Sequence, residues 1–418
     1  MRSENYKKKV MVLGAGEGQI PFIKICKDRG YEVLVVSIKG DYPGFALADK
    51  KFYYDTRDKD TILKIAENEK IDAIITDQTD VAIPTVAYVS EKLGLRGIGY
   101  DTAIKFTNKY YMRWAAREAG IAVPQFEKAK TIEEAAQIAQ NIGFPLMIKP
   151  VDNSGSRGVI KIESMDELVS NFECSKNFSS VGDVIVERFI TGTSYMVNGF
   201  AMDNDYINLD LGTKDQFRDI DIYVTKELKL HSAGSINNPI WEKVLLTNKQ
   251  LVKSMGLRFG ITHADYLYNA FEDRVYLVEI ACRGGGTFIS SDITPLATGF
   301  DSNSALIDYV VEGKSSIPEE KELQGKVCGY IRFGLPKGII QEVRGIEEIS
   351  QLKGVVKICL KDIEIGKETN GLRNDTDAYG PIIFSAENDM EADLIKQRVK
   401  EILQISVKTM DGIQNIIW

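Results

Sequence analysis

The stretch Val275-Tyr-Leu-Val-Glu-Ile-Ala-Cys-Arg-Gly-Gly-Gly286 sets one carboxylate and one guanidinium in an apolar run that ends in three consecutive glycines. The run has the pattern of a buried strand, and the glycines mark a flexible turn where it stops. Glu279 and Arg283 thus stand where a strand gives way to a loop, a place suited to holding a metal ion and an anion. Upstream, Thr262-His-Ala-Asp-Tyr-Leu-Tyr268 reads as a second strand carrying Asp265, with Glu272-Asp-Arg274 as the turn between them. An antiparallel pair would set Asp265 beside Glu279. Two such carboxylates suit Mg²⁺, a hard ion that also takes nucleotide phosphate oxygens. From these residues alone, an ordinary hairpin with solvent-facing acids reads equally well.

Composition sets outer limits. A chain of 418 residues exceeds what one core supports and predicts two or three domains. Its 52 basic and 60 acidic residues give a formal charge of −8 without long single-sign blocks, which argues against nucleic acid as the main partner. Cys26, Cys174, Cys282, Cys328 and Cys359 lie far apart and read as reduced thiols of a cytoplasmic protein. With only His231 and His263, a histidine-rich zinc centre is disfavoured, as is most Ser-His-Asp chemistry. The N-terminus is polar, and Val10 to Leu13 is too short for a signal peptide or membrane span, so no membrane partner is expected.

Residues 9 to 104 alternate strand-like runs (Val10–Leu13, Glu32–Ser37, Ile71–Ile75) with helical stretches (Ile20–Arg29, Asp60–Lys70), the pattern of a parallel sheet with crossover helices. Gly14-Ala-Gly-Glu-Gly18 follows the first strand but departs from GxGxxG, its third glycine coming one place early. That is weak support for NAD, and such a turn could equally bind a carboxylate or phosphate. A helix over Lys109–Glu118 follows, then one near Ile132–Asn141. Pro145–Pro150 reads as a strand ending at Lys149, and Val151-Asp-Asn-Ser-Gly-Ser-Arg-Gly158 leads into another at Val159–Ile162. A hairpin with such a loop can lie over phosphates. Asp183–Ile190 is a further strand, and a helix falls near Trp241–Gly256. From Gly325 onward, short strands and a final helix over roughly Asp389–Leu403 suggest a small α+β domain of ~100 residues.

Taken in order, Lys109, Lys149 with its Ser154-Gly-Ser-Arg-Gly158 loop, Val184–Ile190, Asp265 and Glu279 resemble the ATP-grasp superfamily. Within it the chain is similar to the carboxylate–amine ligases, including L-amino-acid ligases, biotin carboxylase-like and formate-dependent purine enzymes. The resemblance implies an α/β and α+β architecture. An N-terminal parallel-sheet domain over 1–104 would precede an ATP-grasp domain over 105–319, whose mobile lid covers about 124–190. A small α+β domain over 320–418 would follow.

The resemblance also implies site roles. Lys109 and Lys149 would meet the α- and β-phosphates of ATP, and Ser154, Gly155 and Ser156 the β- and γ-phosphates. Main-chain groups at Glu187 and Phe189 would bond the adenine, with Ser194 near the ribose. Asp265 and Glu279 would hold Mg²⁺, with Mn²⁺ as a substitute. Arg283 and Lys149 are the expected catalytic groups, and His231, Arg283 and Gly285 the substrate contacts. Thr287, Ser290 and Ser291 are candidates for lining the acceptor pocket. Three departures stand out. Asp265 replaces the usual Glu, Ala281 stands where an Asn often adds a metal ligand, and Ser194 stands where a Glu often binds the ribose. Arg373 alone matches the Arg-Arg pair of phosphoribosyl-binding relatives, which lowers a purine-pathway role.

The implied reaction is ADP-forming: a substrate carboxylate is activated as an acyl phosphate on MgATP and transferred to an amine. Small-molecule carboxylates and amines are the expected partners, an amino acid, peptide or sugar acid foremost, and a homodimer is compatible with the family. The alternatives are a bicarbonate- or formate-activating enzyme and a non-catalytic nucleotide-binding regulator.

Overall fold

The computed structural model describes residues 6–203, 205–217, 224–314, 316–361, 363–374 and 377–418. The chain packs as two compact units, neither contiguous in sequence. The first takes in the chain up to Asn208, Asn238–Ser291 and Asp301–Pro318; the second takes in Leu209–Asn237, Asp292–Phe300 and Glu319–Trp418. Residues 209–237 and 292–300, counted above with 105–319, thus pack with the C-terminal part.

In chain order the strands begin with β1 (Lys9–Leu13), β2 (Glu32–Ser37), β3 (Lys50–Tyr53) and β4 (Ala73–Ile75). They are parallel, in the order β3-β2-β1-β4. Val10–Leu13 and Val33–Val36 are buried throughout, as continuous apolar runs must be when helices cover both faces of a sheet. Connections leave in opposite directions between β1 and β4, so their following loops flank a crevice at the carboxyl ends of the strands. There Gln19 fills the glycine turn: its Oε1 accepts from the Gly16 N–H at 3.0 Å and its Nε2 donates to the Asp77 carbonyl at 2.5 Å.

Next come β5 (Phe126–Ala129), β6 (Leu146–Pro150), β7 (Ile160–Ile162) and β8 (Val184–Arg188), antiparallel in the order β5-β8-β6-β7. Helices Ile132–Ile142 and Met165–Lys176 cover one face through Ala135, Ala139, Leu168 and Phe172. The second helix, like Ile83–Lys92, Tyr100–Thr107 and β3, was not anticipated from the sequence.

The chain continues through β9 (Thr193–Met202), β10 (Asp205–Gln216), β11 (Thr225–Ser232), β12 (Gly260–Asn269) and β13 (Arg274–Ala281). In the first unit β12 lies between β9 and β13, antiparallel to both. Helix Pro239–Met255 starts on the Asn238 side chain and ends at Gly256, whose φ of +78° a glycine adopts without strain.

The remaining strands belong to the second unit: β14 (Val327–Phe333), β15 (Lys337–Arg344), β16 (Val355–Ile358), β17 (Glu368–Asn370), β18 (Tyr379–Ala386), β19 (Gln404–Thr409) and β20 (Gly412–Asn415). There β11, β14, β18 and β16 follow one another, and β17-β15-β19-β20 forms a second sheet. Helix Asp389–Ile402 supplies Ala392, Ile395 and Val399 to a core with Phe333, Phe384 and Ile405. No helix of the described residues is long and apolar enough to cross a membrane.

Candidate functional site

Helix Lys109–Glu118 begins where the Asn108 side chain accepts from the Tyr110 and Tyr111 N–H groups at 3.0 and 3.4 Å. The Lys109 N–H donates to the Val151 carbonyl at 2.7 Å, which ties the helix start to the chain leaving β6. The buried Lys109 ammonium donates to the Asn153 carbonyl at 2.6 Å and to Glu279 Oε1 at 2.7 Å. Arg113 lies one turn on, along the same helix face. It is 1% exposed, and donates through Nε to Glu187 Oε2 at 3.0 Å and through Nη2 to the Val278 carbonyl at 2.8 Å.

Lys149 faces Ile185 across β6 and β8, and Glu187 lies two residues farther along the same face. The two charges are therefore diagonal neighbours, and the Lys149 ammonium donates to Glu187 Oε1. One buried carboxylate thus holds two cations. Burial alone would raise the Glu187 pKa, but Arg113 and Lys149 outweigh it and bring the value to about 2. Burial lowers the Lys149 pKa; Glu187 opposes that, and Arg113 and Lys109 add to it. Lys109, Arg113 and Lys149 together exceed Glu187 and Glu279 by one positive charge. Such a group favours an incoming polyanion.

Asp265 and Glu279 are direct cross-strand partners, with a bulge after Asp265. Directly opposed carboxylates fit Mg²⁺, an ion that keeps several waters and takes substrate phosphate oxygens. Among the described residues no group of three or more His, Cys, Asp or Glu could hold a metal, so an ion here would draw its other ligands from elsewhere. The next rung on this face pairs His263 with Ala281, which brings no donor. His263 Nδ1 lies 2.8 Å from Asn198 Oδ1.

In the loop after β6, Gly155, Ser156 and Gly158 have φ of +69°, +57° and +75°. Ser154 donates its N–H to Asn153 Oδ1 at 2.9 Å, and Arg157 Nη2 reaches the same oxygen at 2.8 Å. At the end of β8 the Phe189 N–H already donates to the Pro145 carbonyl at 3.1 Å, so that donor is spent within the sheet. Ser194 sits on β9 opposite Leu267.

The glycine turn brings in residues that the sequence reading did not single out. Arg283 donates from Nε and Nη2 to the two oxygens of Asp80 at 3.0 and 2.8 Å, and from Nη1 to the Gly284 carbonyl at 2.9 Å. Asp77 accepts the Gly284 N–H at 2.7 Å and the Ser290 hydroxyl at 3.2 Å. A Cβ on Gly285 would meet His263 Nδ1 at 2.8 Å, so the backbone approaches too closely for a side chain. Gln78, Thr287 and Phe288 hold φ of +55°, +54° and +62°, a cluster of left-handed non-glycine residues around one turn. Burial lifts the Asp77 pKa to about 6, against the opposing pull of Gly284 and Arg283. Burial also acts upward on Asp80, but Arg283 outweighs it and the Asp80 pKa falls. One signal in the sequence pointed here: Asp77-Gln-Thr-Asp80 is polar and follows a buried strand at the binding edge of a parallel sheet.

His231 lies in the second unit, where its Nε2 is 3.1 Å from both Asp389 oxygens and Lys229 Nζ is 2.5 Å from Oδ1. Burial lowers its pKa, with Asp389 opposing. Cys282 is buried, and that burial pushes its thiol pKa up, as expected for a small interior residue.

Residues 108–308 match the family described as carbamoyl-phosphate synthase L chain, ATP binding domain. The formate-dependent phosphoribosylglycinamide formyltransferase of Bacteroides thetaiotaomicron is 29% identical over 187 residues, 44% of this chain and 48% of that protein. The chain thus spans about half the length of that relative. The L-arginine-specific L-amino acid ligase of Bacillus subtilis is 23% identical over 369 residues, 85% of each protein. In fold, the chain is similar to the L-amino acid ligase from Bacillus licheniformis, with a TM-score of 0.77 and 17% identity over 96% of this chain and 99% of the other.

Proposed function

We propose that the chain is an ADP-forming carboxylate–amine ligase of the ATP-grasp superfamily, a reading supported by its match over residues 108–308 to an ATP binding domain and by the likeness of its fold to an L-amino acid ligase. The observation that carries this reading is the buried Glu187, which orients Arg113 and Lys149 beside the Lys109–Glu279 pair. Lys109 and Lys149 stand on different elements and meet phosphate oxygens from two sides. The N–H groups of Gly155 and Ser156 and the hydroxyls of Ser154 and Ser156 would lie over the β- and γ-phosphates, the Ser154 N–H being taken by Asn153 Oδ1. With the Phe189 N–H spent, the adenine edge is read by the remaining main-chain groups from Glu187 onward. Ser194 offers the ribose a single hydroxyl. Asp265 and Glu279 hold Mg²⁺, or Mn²⁺ in its place, which when bound neutralises phosphate charge and aligns the reacting oxygens.

In the first step a carboxylate oxygen of the substrate attacks the γ-phosphorus, the bond to the bridging oxygen breaks, and ADP leaves. In the second an amine nitrogen attacks the acyl carbon, phosphate departs and the nitrogen gives up a proton. Lys149 and Arg283 stabilise the charge that builds on the transferring group and on the acyl phosphate. An amino acid, peptide or sugar acid is the carboxylate partner.

The test is ADP release from MgATP with pooled carboxylic acids and amines. Release should appear with one pool and fall by at least ~100-fold in Lys149→Ala and Glu279→Gln. Undiminished release in both variants removes the site assignment. Tight ATP binding without release for any pool points to a regulator instead.

A further inference from the structure

A cleft of about 720 Å³ in the first unit shares no lining residue with either cluster described above. Its walls come from the end of helix Lys109–Glu118, the linker 120–125, helix Pro239–Met255 and the turn into β13. That is a size suited to a small-molecule ligand. Arg117, Lys243 and Arg274 line it against a single carboxylate, Asp273.

The carboxylate is already spent. Lys243 Nζ lies 2.8 Å from Asp273 Oδ1, the Tyr268 hydroxyl donates to the same oxygen at 2.8 Å, and Lys243 also donates to the Asp273 carbonyl at 2.6 Å. Among the described residues neither Arg117 nor Arg274 has a hydrogen-bond acceptor for its side chain. Glu272 feels the charge of Arg274 but is held by Arg188 at 3.3 Å and by the Tyr276 hydroxyl. The Arg117 guanidinium is stacked 4.3 Å from the Phe126 ring centroid and 4.7 Å from that of Trp114. Stacking fixes the plane of the fork and leaves its N–H edges open to an anion.

These groups leave two positive charges in a chain whose formal charge is −8. A cleft of one sign gathers ligands of the other. A monocarboxylate would match half of the surplus, whereas a terminal phosphate group carries about two negative charges at neutral pH and accepts guanidinium bonds in pairs. Gln125 and Gln250 add amides to the lining for the polar remainder of such a ligand, and four separate walls favour a compact molecule over an extended peptide. The geometry points to a second anion site, outside the ATP-binding cluster, in which Arg117 and Arg274 clasp the phosphate of a small phosphorylated molecule.

Pyrophosphate is the probe, titrated calorimetrically into the full chain without divalent metal. One equivalent should bind at the phosphate-side cations and another in the cleft. Lys149→Met should weaken the first alone, and Arg117→Gln combined with Arg274→Gln the second alone, each by at least ~10-fold. Both arginines are exposed, and without pyrophosphate the double variant should release ADP within ~2-fold of the wild-type rate. If the ligase reading fails, the cleft equivalent should still bind and still depend on the two arginines. A single equivalent removed by Lys149→Met, or a second that survives the loss of both arginines, overturns the inference. Sulfate binding in the cleft as tightly as pyrophosphate also overturns it, leaving a non-selective anion site. Tighter binding of hexaglutamate there does the same, by making the cleft a docking site for an acidic segment.

Discussion

The phosphate-side cluster and the glycine-turn cluster use the same residue types within one unit, yet they rest with opposite charge. Lys109, Arg113 and Lys149 outnumber Glu187 and Glu279, whereas Asp77 and Asp80 outnumber Arg283. In the first, a single deeply buried carboxylate is shared by two cations, and the surplus awaits an anion. In the second, the guanidinium is already matched and its second carboxylate is spent on a backbone N–H and a hydroxyl. The first group thus favours an incoming polyanion, while the second holds its guanidinium already paired.

The largest expected effect falls on the shared carboxylate. Glu187→Gln leaves Arg113 and Lys149 buried without their anion and should cost ~3–5 kcal/mol in urea unfolding at neutral pH. Asp80→Asn, at a more exposed pair, should cost less. The reverse order would break the comparison. Lys149→Met should lower kcat/KM for ADP release by ~100-fold with little loss of stability, because Glu187 keeps Arg113. A variant that unfolds instead would make Lys149 a structural cation.

The two clusters should also respond oppositely to pH. Glu187 has its pKa lowered from an ordinary 4.5 to about 2, so its contribution is present above pH 4.5 and is lost as pH falls toward 2. Asp77 has its pKa raised from 3.8 to about 6, so its contribution is complete below pH 3.8 and is lost as pH rises through 6. Relative to wild type, Asp77→Asn should therefore gain up to ~3 kcal/mol between acid and neutral pH, measured by denaturation across that range. A flat difference would show that Asp77 titrates normally. The smallest effect is expected at His231. Its Asp389 contact predicts a loss of ~1 kcal/mol for His231→Gln and a KM change below ~3-fold. A tenfold rise in KM would make it a substrate ligand.

Several parts of this arrangement were legible beforehand. Helix Lys109–Glu118 and the opposed Asp265 and Glu279 follow from periodicity, since successive strand residues alternate faces and glycines end elements. The Lys149 hairpin was legible for the same reason. Arg113 was missed although it stands four residues after Lys109, because a helix face bearing two cations reads as a solvated surface until its burial is known. The role of the Glu187 carboxylate was not legible, because a lone acid in a strand shows neither its burial nor the two cations it meets. Asp80 stands in a polar stretch after a buried strand, but its pairing with Arg283 was beyond reach, since the two lie 203 residues apart.

By itself the sequence determined which residues share a face, where strands stop in glycine, and which superfamily the order of lysines and acids resembles. Those properties depend on sterics and patterning within one element. Only the tertiary structure decided which charges meet. Glu187 reaches Arg113 across 74 residues, and Arg283 meets an aspartate from the loop after β4. An ion pair and its pKa depend on through-space neighbours and on the loss of water, and neither exists until distant elements have packed.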